Sequence, residues 1–202
     1  MSAVSRPYYT FEEYLAQERL ASVKSEYYRG QIFAMAGGSL RHNAISGNVF
    51  AVMYGRLRGS SCRPSNSDQR IRIPSNGLAT YPDISVVCGE LQADTEDHDA
   101  IVNPRVIFEV LSKSTESYDR GKKFDLYRQL NSLKEYILVA QDEPHVERFV
   151  RHDDESWNLT VYKGLDAVLE FHSLPTVLPL SEIYDGVKFG SEDGVIEVIR
   201  DK

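Results

Sequence analysis

The chain has 202 residues, enough for one domain with a sizeable hydrophobic core or for one domain with a short extension. Its composition is ordinary for a soluble globular protein, but its formal net charge of −7 argues against a general nucleic-acid binder, because phosphate binding usually needs a basic surface. Part of the negative charge lies between Glu90 and Asp99. We interpret that segment as a solvated loop.

The sequence shows no signal peptide and no apolar stretch long enough to span a bilayer, so we expect a cytoplasmic protein without a membrane partner. Its two cysteines, Cys62 and Cys88, match neither a zinc-site spacing nor a redox motif. We therefore expect both to be reduced, structural thiols.

The predicted elements are a helix, a hairpin and a long helix, followed by several strands, an interposed helix, further strands and a short helix. Thr10 and Glu13 form a predicted capping box for a helix near residues 10–20, and a hairpin with Arg29-Gly30 at its turn is expected between Ser25 and Ala36. The remaining predictions are a long helix over 40–57, strands over 67–73, 80–88 and 105–111, a helix over 118–130, strands over 135–141, 146–151, 157–163 and 167–171, and a short helix over 180–184. This order indicates an α/β or α+β fold, with helices packed against a sheet.

Two short apolar runs, residues 81–87 and 106–111, each contain one acidic residue where a buried strand should have none, Asp83 in the first and Glu109 in the second. An ionised carboxylate in a protein core costs several kcal/mol unless it is paired or binds a metal. The two acids therefore predict a metal-dependent site. The alternative is that one of them faces solvent at a strand end or pairs with an arginine such as Arg70.

The helix predicted over 118–130 supplies a cation for the same site. Lys123 lies at the centre of its apolar stripe, and Asp119, one turn earlier, also faces inward, whereas Lys122 points towards solvent. A lysine that only covers the core with its aliphatic stem is the alternative explanation. His42 lies on the inward face of the 40–57 helix, either as a core histidine or as part of the site.

In this order, the motifs resemble the Uma-type endonucleases of the PD-(D/E)XK superfamily. The resemblance covers residues 8–187, and the segments that carry it are Glu26-Tyr27-Tyr28-Arg29-Gly30, Gly38-Ser39-Leu40-Arg41-His42, Tyr81-Pro82-Asp83, Phe108-Glu109-Val110-Leu111-Ser112-Lys113-Ser114-Thr115, Tyr118-Asp119-Arg120-Gly121-Lys122-Lys123 with Tyr127, and Leu133-Lys134-Glu135-Tyr136-Ile137-Leu138-Val139. It implies a restriction-endonuclease-like core with a mixed central sheet and an additional antiparallel hairpin region. We expect one such domain over residues 1–190, followed by a C-terminal tail or edge strand over 191–202.

The resemblance also implies the ligands of the site. Asp83, Glu109 and the main-chain carbonyl of Val110 would bind one or two Mg²⁺ or Mn²⁺ ions, which prefer oxygen ligands. Glu26 would hold a second metal or position the attacking water. Its alternative is a solvent-facing hairpin acid.

One position departs from the superfamily pattern, which has a lysine where this chain has Leu111. The resemblance implies that the lysine has moved to Lys123, where it would orient water or stabilise the transition state, and Lys113 is the competing candidate. His42 and Asp119 are expected to contact these residues and hold them in position without binding the metal themselves.

The function expected from these residues is a metal-dependent endonuclease that hydrolyses DNA phosphodiester bonds, with a homodimer as the expected assembly. Its alternative is a nuclease-fold module that binds nucleic acid or protein without cutting. A glycosidase with paired carboxylates is a third hypothesis, although Trp157 lies far along the chain from both acids and no sugar platform is evident.

Overall fold

The computed structural model describes residues 7–190 of the chain. The helical segments are α1 (Phe11–Glu18), α2 (Leu40–Arg56), α3 (Glu116–Tyr118), a π-turn (Asp119–Lys123), α4 (Phe124–Tyr127) and α5 (Leu180–Ile183). The strands are β1 (Ser25–Tyr28), β2 (Gln31–Ala34), β3 (Cys62–Ser65), β4 (Arg70–Ile73), β5 (Leu78–Thr80), β6 (Ile84–Cys88), β7 (Ala100–Ile101), β8 (Val106–Val110), β9 (Glu135–Val139), β10 (His145–Arg151), β11 (Trp157–Lys163), β12 (Val168–Glu170) and β13 (Val177–Pro179). No helix of this range is long and apolar enough to cross a membrane.

The strands form three sheets. A six-stranded sheet has the order β11-β10-β9-β8-β6-β3, a five-stranded sheet has the order β2-β1-β5-β4-β7, and β12 pairs with β13. The six-stranded sheet is mixed, because β8 runs parallel to β9 and antiparallel to β6. The predicted mixed α/β fold is therefore confirmed. Residues 191–202, expected to form a tail or an edge strand, lie outside the described range, and the domain boundary at residue 190 stays a prediction.

The six-stranded sheet separates two hydrophobic clusters. Side chains alternate along β8, so that Val106, Phe108 and Val110 enter one cluster with α2 and α5. Ile107 enters the other, with α4 and the five-stranded sheet. Glu109 is two residues after Ile107, so its side chain lies on the same face of β8. Its carboxylate thus lies on the side of the sheet that α4 and the π-turn cover.

Two long predicted elements are divided in the structure. The strand predicted over 80–88 is broken: Thr80 is the last residue of β5, β6 in the other sheet begins at Ile84, and Tyr81–Asp83 joins the two, so Asp83 lies just outside a strand. Pro82 in that link cannot donate to a sheet ladder, which accounts for the break. The helix predicted over 118–130 is the series α3, π-turn and α4, with Gly121 inside the π-turn. Strands β3, β7 and β13 were not predicted, and each has only two to four residues.

The acidic loop is more ordered than the prediction of a solvated loop. Asp94 and Asp97 are buried, and Asp94 accepts hydrogen bonds from the main-chain amides of Glu96 and Asp97. Asp97 also forms an ion pair with the buried guanidinium of Arg70. Arg70 is thereby engaged in this loop, and the alternative in which it partners Asp83 or Glu109 is not what the structure shows.

The prediction of two reduced cysteines is wrong, because Cys62 and Cys88 form a disulfide. The two residues face each other directly in the antiparallel pairing of β3 with β6. Their separation of 26 positions in the sequence gave no sign of this contact, which depends on the register between the strands.

We expect reduction of this disulfide to lower the free energy of unfolding by roughly 3 kcal/mol, because the cross-link restricts a long loop in the unfolded chain. Urea denaturation with and without a reductant measures the difference. The control is the double variant Cys62→Ser/Cys88→Ser, whose stability should not respond to reductant. Two free thiols in the unreduced, unfolded wild-type protein would contradict the prediction.

Candidate active site

Glu109 is on β8, and Asp83 directly precedes β6, the antiparallel neighbour of β8. Ile84 pairs with Phe108, so continuing this register by one step places Asp83 opposite Glu109 and on the same face of the sheet. The main-chain amide of Val110 donates a 2.7 Å hydrogen bond to Asp83 Oδ2. This bond fixes one carboxylate against the strand that carries the other. The structure thus brings together the two acids that the sequence singled out.

Lys123 is the cation at the centre of the site. Its Nζ lies 2.9 Å from Glu109 Oε1, 3.5 Å from Glu26 Oε1 and 3.4 Å from Asp119 Oδ1, and the residue is 5% exposed. Lys123 is therefore not a lysine that only covers the core with its stem while its ammonium group reaches solvent. Lys113 is exposed in the loop that follows β8. It lines a separate cavity of about 470 Å³ instead of contacting Glu109.

Glu26 faces the site from β1 and is only 9% exposed. It is therefore not a solvent-facing hairpin acid. The Thr80 hydroxyl donates a hydrogen bond to Oε1 of Glu26, and the Tyr118 hydroxyl donates one to Oε2 at 3.4 Å. With the 3.5 Å ion pair to Lys123, these contacts attach the hairpin to the π-turn.

The two residues expected in supporting positions also lie at the site. His42 Nε2 is 3.2 Å from Asp83 Oδ2, so the start of α2 contacts the first carboxylate. Asp119 is buried, and its main-chain carbonyl accepts a 3.0 Å hydrogen bond from the Tyr136 hydroxyl, which anchors the π-turn to β9.

Sequence reasoning missed the hydroxyl groups of the site. Tyr127 is fully buried and donates a 2.9 Å hydrogen bond to Glu109 Oε1, the oxygen that also contacts Lys123. The hydroxyl groups of Thr80 and Tyr118 likewise donate hydrogen bonds to Glu26. A signal was available for Tyr127, because a tyrosine in an apolar stripe needs a buried partner for its hydroxyl. Nothing in the sequence indicated Thr80.

The electrostatics of the site show an excess of negative charge. Burial raises the pKa of Glu109 from 4.5 to about 8, although the charge of Lys123 acts in the opposite direction. Burial also raises the pKa of Asp119. For Lys123, burial opposes protonation, but the surrounding carboxylates outweigh it and its pKa is raised. Burial lowers the pKa of His42, but the hydrogen bond to Asp83 and the charge of Asp83, with smaller contributions from Asn43 and Asp119, together raise it.

These residues fit a hard divalent cation. The donors are carboxylate oxygens, the ligands that hard cations prefer, and a bound cation would replace the proton that burial favours on Glu109. Over residues 7–190, no group of three or more His, Cys, Asp and Glu side chains has the geometry of a metal site. A main-chain carbonyl, for which we predicted Val110, or water would have to join Asp83 and Glu109 in a coordination shell.

Fold and site together define a class: an α/β protein of nuclease fold, whose central sheet carries a cluster of carboxylates around a buried lysine. A solved structure described as a putative nuclease belonging to DUF820, from Anabaena variabilis, superimposes with a TM-score of 0.69. It is 19% identical in sequence, and the match covers 87% of this chain and 97% of that one.

The sequence comparisons give the family. The model of the Uma2 family, described as a putative restriction endonuclease, matches residues 11–181, and the chain therefore belongs to this family. Two uncharacterized proteins from Synechocystis sp. are 38% identical over 178 residues and 34% identical over 162 residues. The matches cover 88% and 80% of this chain, and 92% of each relative. The family predicted from the sequence motifs is thus confirmed.

The raised pKa of Glu109 predicts a pH-dependent stability. Because the folded protein holds this proton more tightly than the unfolded chain, stability is greatest below about pH 4.5 and falls as the pH rises through about 8. The loss from this one group is at most ~1.4 kcal/mol per pH unit. Replacing the acid by an amide, Glu109→Gln, removes this contribution.

The measurement is urea denaturation of both proteins at several pH values between 5 and 8, with a chelator present. We expect the variant to gain stability relative to the wild-type protein as the pH rises. Parallel stability curves for the two proteins would show that Glu109 does not titrate in this range. The remaining pH dependence of the variant reports Asp119 and His42, whose raised pKa values act in the same direction.

Proposed function

We propose that the protein is a Mg²⁺- or Mn²⁺-dependent endonuclease that hydrolyses phosphodiester bonds of DNA. One observation carries this proposal: the register of β6 and β8 places Asp83, which directly precedes β6, opposite Glu109, and the ammonium group of Lys123 lies 2.9 Å from Glu109. Two carboxylates and a lysine can hold a divalent ion and stabilise the charge that develops on a phosphate during hydrolysis. Membership of a family described as putative restriction endonucleases supports the same conclusion.

Each side chain has a role in this proposal. Asp83 and Glu109 hold the cation, and the amide of Val110 keeps Asp83 in place. Lys123 orients the attacking water or donates to the phosphate oxygen that gains charge. Glu26 accepts the hydrogen bonds of Thr80 and Tyr118 and holds the other side of Lys123. A bound divalent ion would lower the pKa of the attacking water and neutralise the phosphate.

Removing either predicted metal ligand should abolish cleavage. We expect Asp83→Asn and Glu109→Gln to lower the rate of DNA cleavage by about 100-fold or more, because the charge that holds the cation is lost. The assay is cleavage of supercoiled, double-stranded and single-stranded DNA with Mg²⁺ or Mn²⁺. Asp125→Asn is the matched control, since Asp125 is exposed on α4. Wild-type protein that leaves all three substrates intact would refute the proposed function.

A second comparison identifies the catalytic cation. Lys123→Gln should reduce cleavage by at least about 100-fold, whereas Lys113→Gln should retain most of it, because Lys113 has an exposed side chain away from Glu109. Thermal unfolding of each variant separates loss of chemistry from loss of folding. The opposite ranking of the two variants would assign the role to Lys113.

One observation favours the second candidate, a module that binds nucleic acid or protein without cutting. The ammonium group of Lys123 lies 2.9 Å from Glu109, and burial raises the pKa of this carboxyl group, so the lysine and a bound proton can balance the charge of Glu109 without a metal. Calorimetric titration with Mn²⁺ distinguishes the two functions. Heat that disappears in Asp83→Asn supports the nuclease, and a silent titration at millimolar Mn²⁺ supports the binding module.

The homodimer stays a prediction. Strand β11 is at the edge of the six-stranded sheet, and Leu159 and Val161 on it are exposed. Light scattering should give twice the chain mass of 22.9 kDa if the prediction is right. Leu159→Lys should then shift the mass towards that of one chain.

A further inference from the structure

The β1–β2 hairpin presents a second functional surface beside the carboxylate cluster. Glu26 pairs with Phe33 across the two strands, so both side chains lie on the same face of the hairpin. Glu26 is turned into the site and contacts Lys123. Phe33 is therefore the next side chain outward from the site on that face.

Phe33 is unusually placed for a large aromatic residue. Its side chain is 46% exposed, whereas Tyr27 and Ile32, the cross-strand pair on the other face, join a hydrophobic cluster with α1. A single exposed aromatic residue has no meaning by itself. One cross-strand pair away from Glu26, however, it offers a flat apolar surface to any substrate that reaches the site.

Two cations lie further along the same face. Tyr28 follows Glu26 by two positions, and its ring is approached by Lys122 Nζ at 4.9 Å and by the Arg29 guanidinium at 5.3 Å. Both basic residues are exposed. The face thus carries an aromatic platform, the carboxylate site and a pair of positive charges.

From this arrangement we propose that the hairpin face binds a single strand of nucleic acid, with a base stacked on Phe33 and backbone phosphates on Arg29 and Lys122. The proposal rests on the proposed nuclease function and specifies its substrate as unpaired DNA. A base can stack on a protein ring only when it has left its own duplex stack. Stacking is also insensitive to net charge, so it gives a protein of charge −7 a means to hold a polyanion.

The test measures binding apart from cleavage. Fluorescence anisotropy with a labelled single-stranded deoxythymidine oligonucleotide, in the presence of a chelator, gives the affinity of wild-type protein and variants. We expect Phe33→Ala to weaken binding about 5- to 150-fold, corresponding to roughly 1–3 kcal/mol for one stacked base. Phe33→Trp should retain the affinity, because it keeps an aromatic surface.

Tyr54→Ala is the matched control. Tyr54 is an aromatic residue on α2 with 47% exposure, and it lines a different cavity beside Cys62. Its replacement should leave the affinity unchanged. An equal loss in both variants would overturn the proposal, as would a duplex of the same length that binds as tightly as the single strand.

Salt dependence tests the two cations separately from the aromatic residue. Lys122→Gln and Arg29→Gln should each reduce the slope of log K against log salt by about 0.7, the value for one phosphate contact on a single strand. Phe33→Ala should lower the affinity without changing the slope. An unchanged slope in both cation variants would refute the phosphate contacts.

The two proposals fail in different ways. If Asp83→Asn loses cleavage while Phe33→Ala binds as the wild-type protein does, only the single-strand surface is refuted. If the wild-type protein cuts nothing but Phe33→Ala binds more weakly, the surface stands and the nuclease function is refuted. If the wild-type protein binds no single strand, the surface is refuted whatever the cleavage assay shows.

Discussion

The buried contact between Glu109 and Lys123 is the interaction on which the rest of the site depends. A carboxylate inside a sheet would lose several kcal/mol of hydration free energy, and the ammonium group of Lys123 offsets this loss. Lys123 is itself buried and needs acceptors for its remaining protons, which Glu26 and Asp119 provide. One ion pair thus requires β1, β8 and the π-turn to meet at a single point. Tyr127 and Tyr136 add hydroxyl groups that hold this arrangement in place.

The same contact leaves the site incompletely neutralised, and this imbalance is what makes its chemistry plausible. Lys123 contacts three carboxylates, those of Glu26, Glu109 and Asp119, while Asp83 is held beside Glu109 by the amide of Val110. Burial raises the pKa of Glu109 to about 8 in spite of Lys123. A structural salt bridge would gain from a balanced set of charges. An excess of buried carboxylate is relieved either by a bound proton, as the raised pKa of Glu109 shows, or by a further cation. The antiparallel register of β6 and β8 provides the place for it, opposite Glu109 at Asp83.

The sequence predicted the members of the site better than it predicted the elements that carry them. Lys123 was assigned to the inward face of a regular helix, whereas it lies at the end of a π-turn. Lys123 still faces inward because residues four positions apart lie on nearly the same side of an α-helix and of a π-turn. Its contact with Asp119 is an example. Asp83 and Glu109 were found because an acid in an apolar run is conspicuous locally. Thr80 was not found, since its hydroxyl has meaning only once β5 lies beside β1.

The failures share one physical cause, the register between segments that are distant in sequence. The disulfide between Cys62 and Cys88 depends on how β3 pairs with β6, and no spacing rule encodes that pairing. Arg70 is held by Asp97 from a loop that composition alone marked as solvated. Local patterns report which face of an element is apolar. They do not report which two elements meet.

The net charge of −7 illustrates the difference between counting charges and locating them. The sum argued against a nucleic-acid ligand, yet several of the acids that contribute to it have specific partners inside the protein. Asp97 is paired with Arg70 and Glu109 with Lys123, and such pairs cancel within the sum, which therefore does not say where the remaining charges lie. Lys122 and Arg29, by contrast, are exposed together at Tyr28. A single strand of nucleic acid whose phosphates meet those cations and whose base stacks on Phe33 contacts a local surface that the overall charge does not describe.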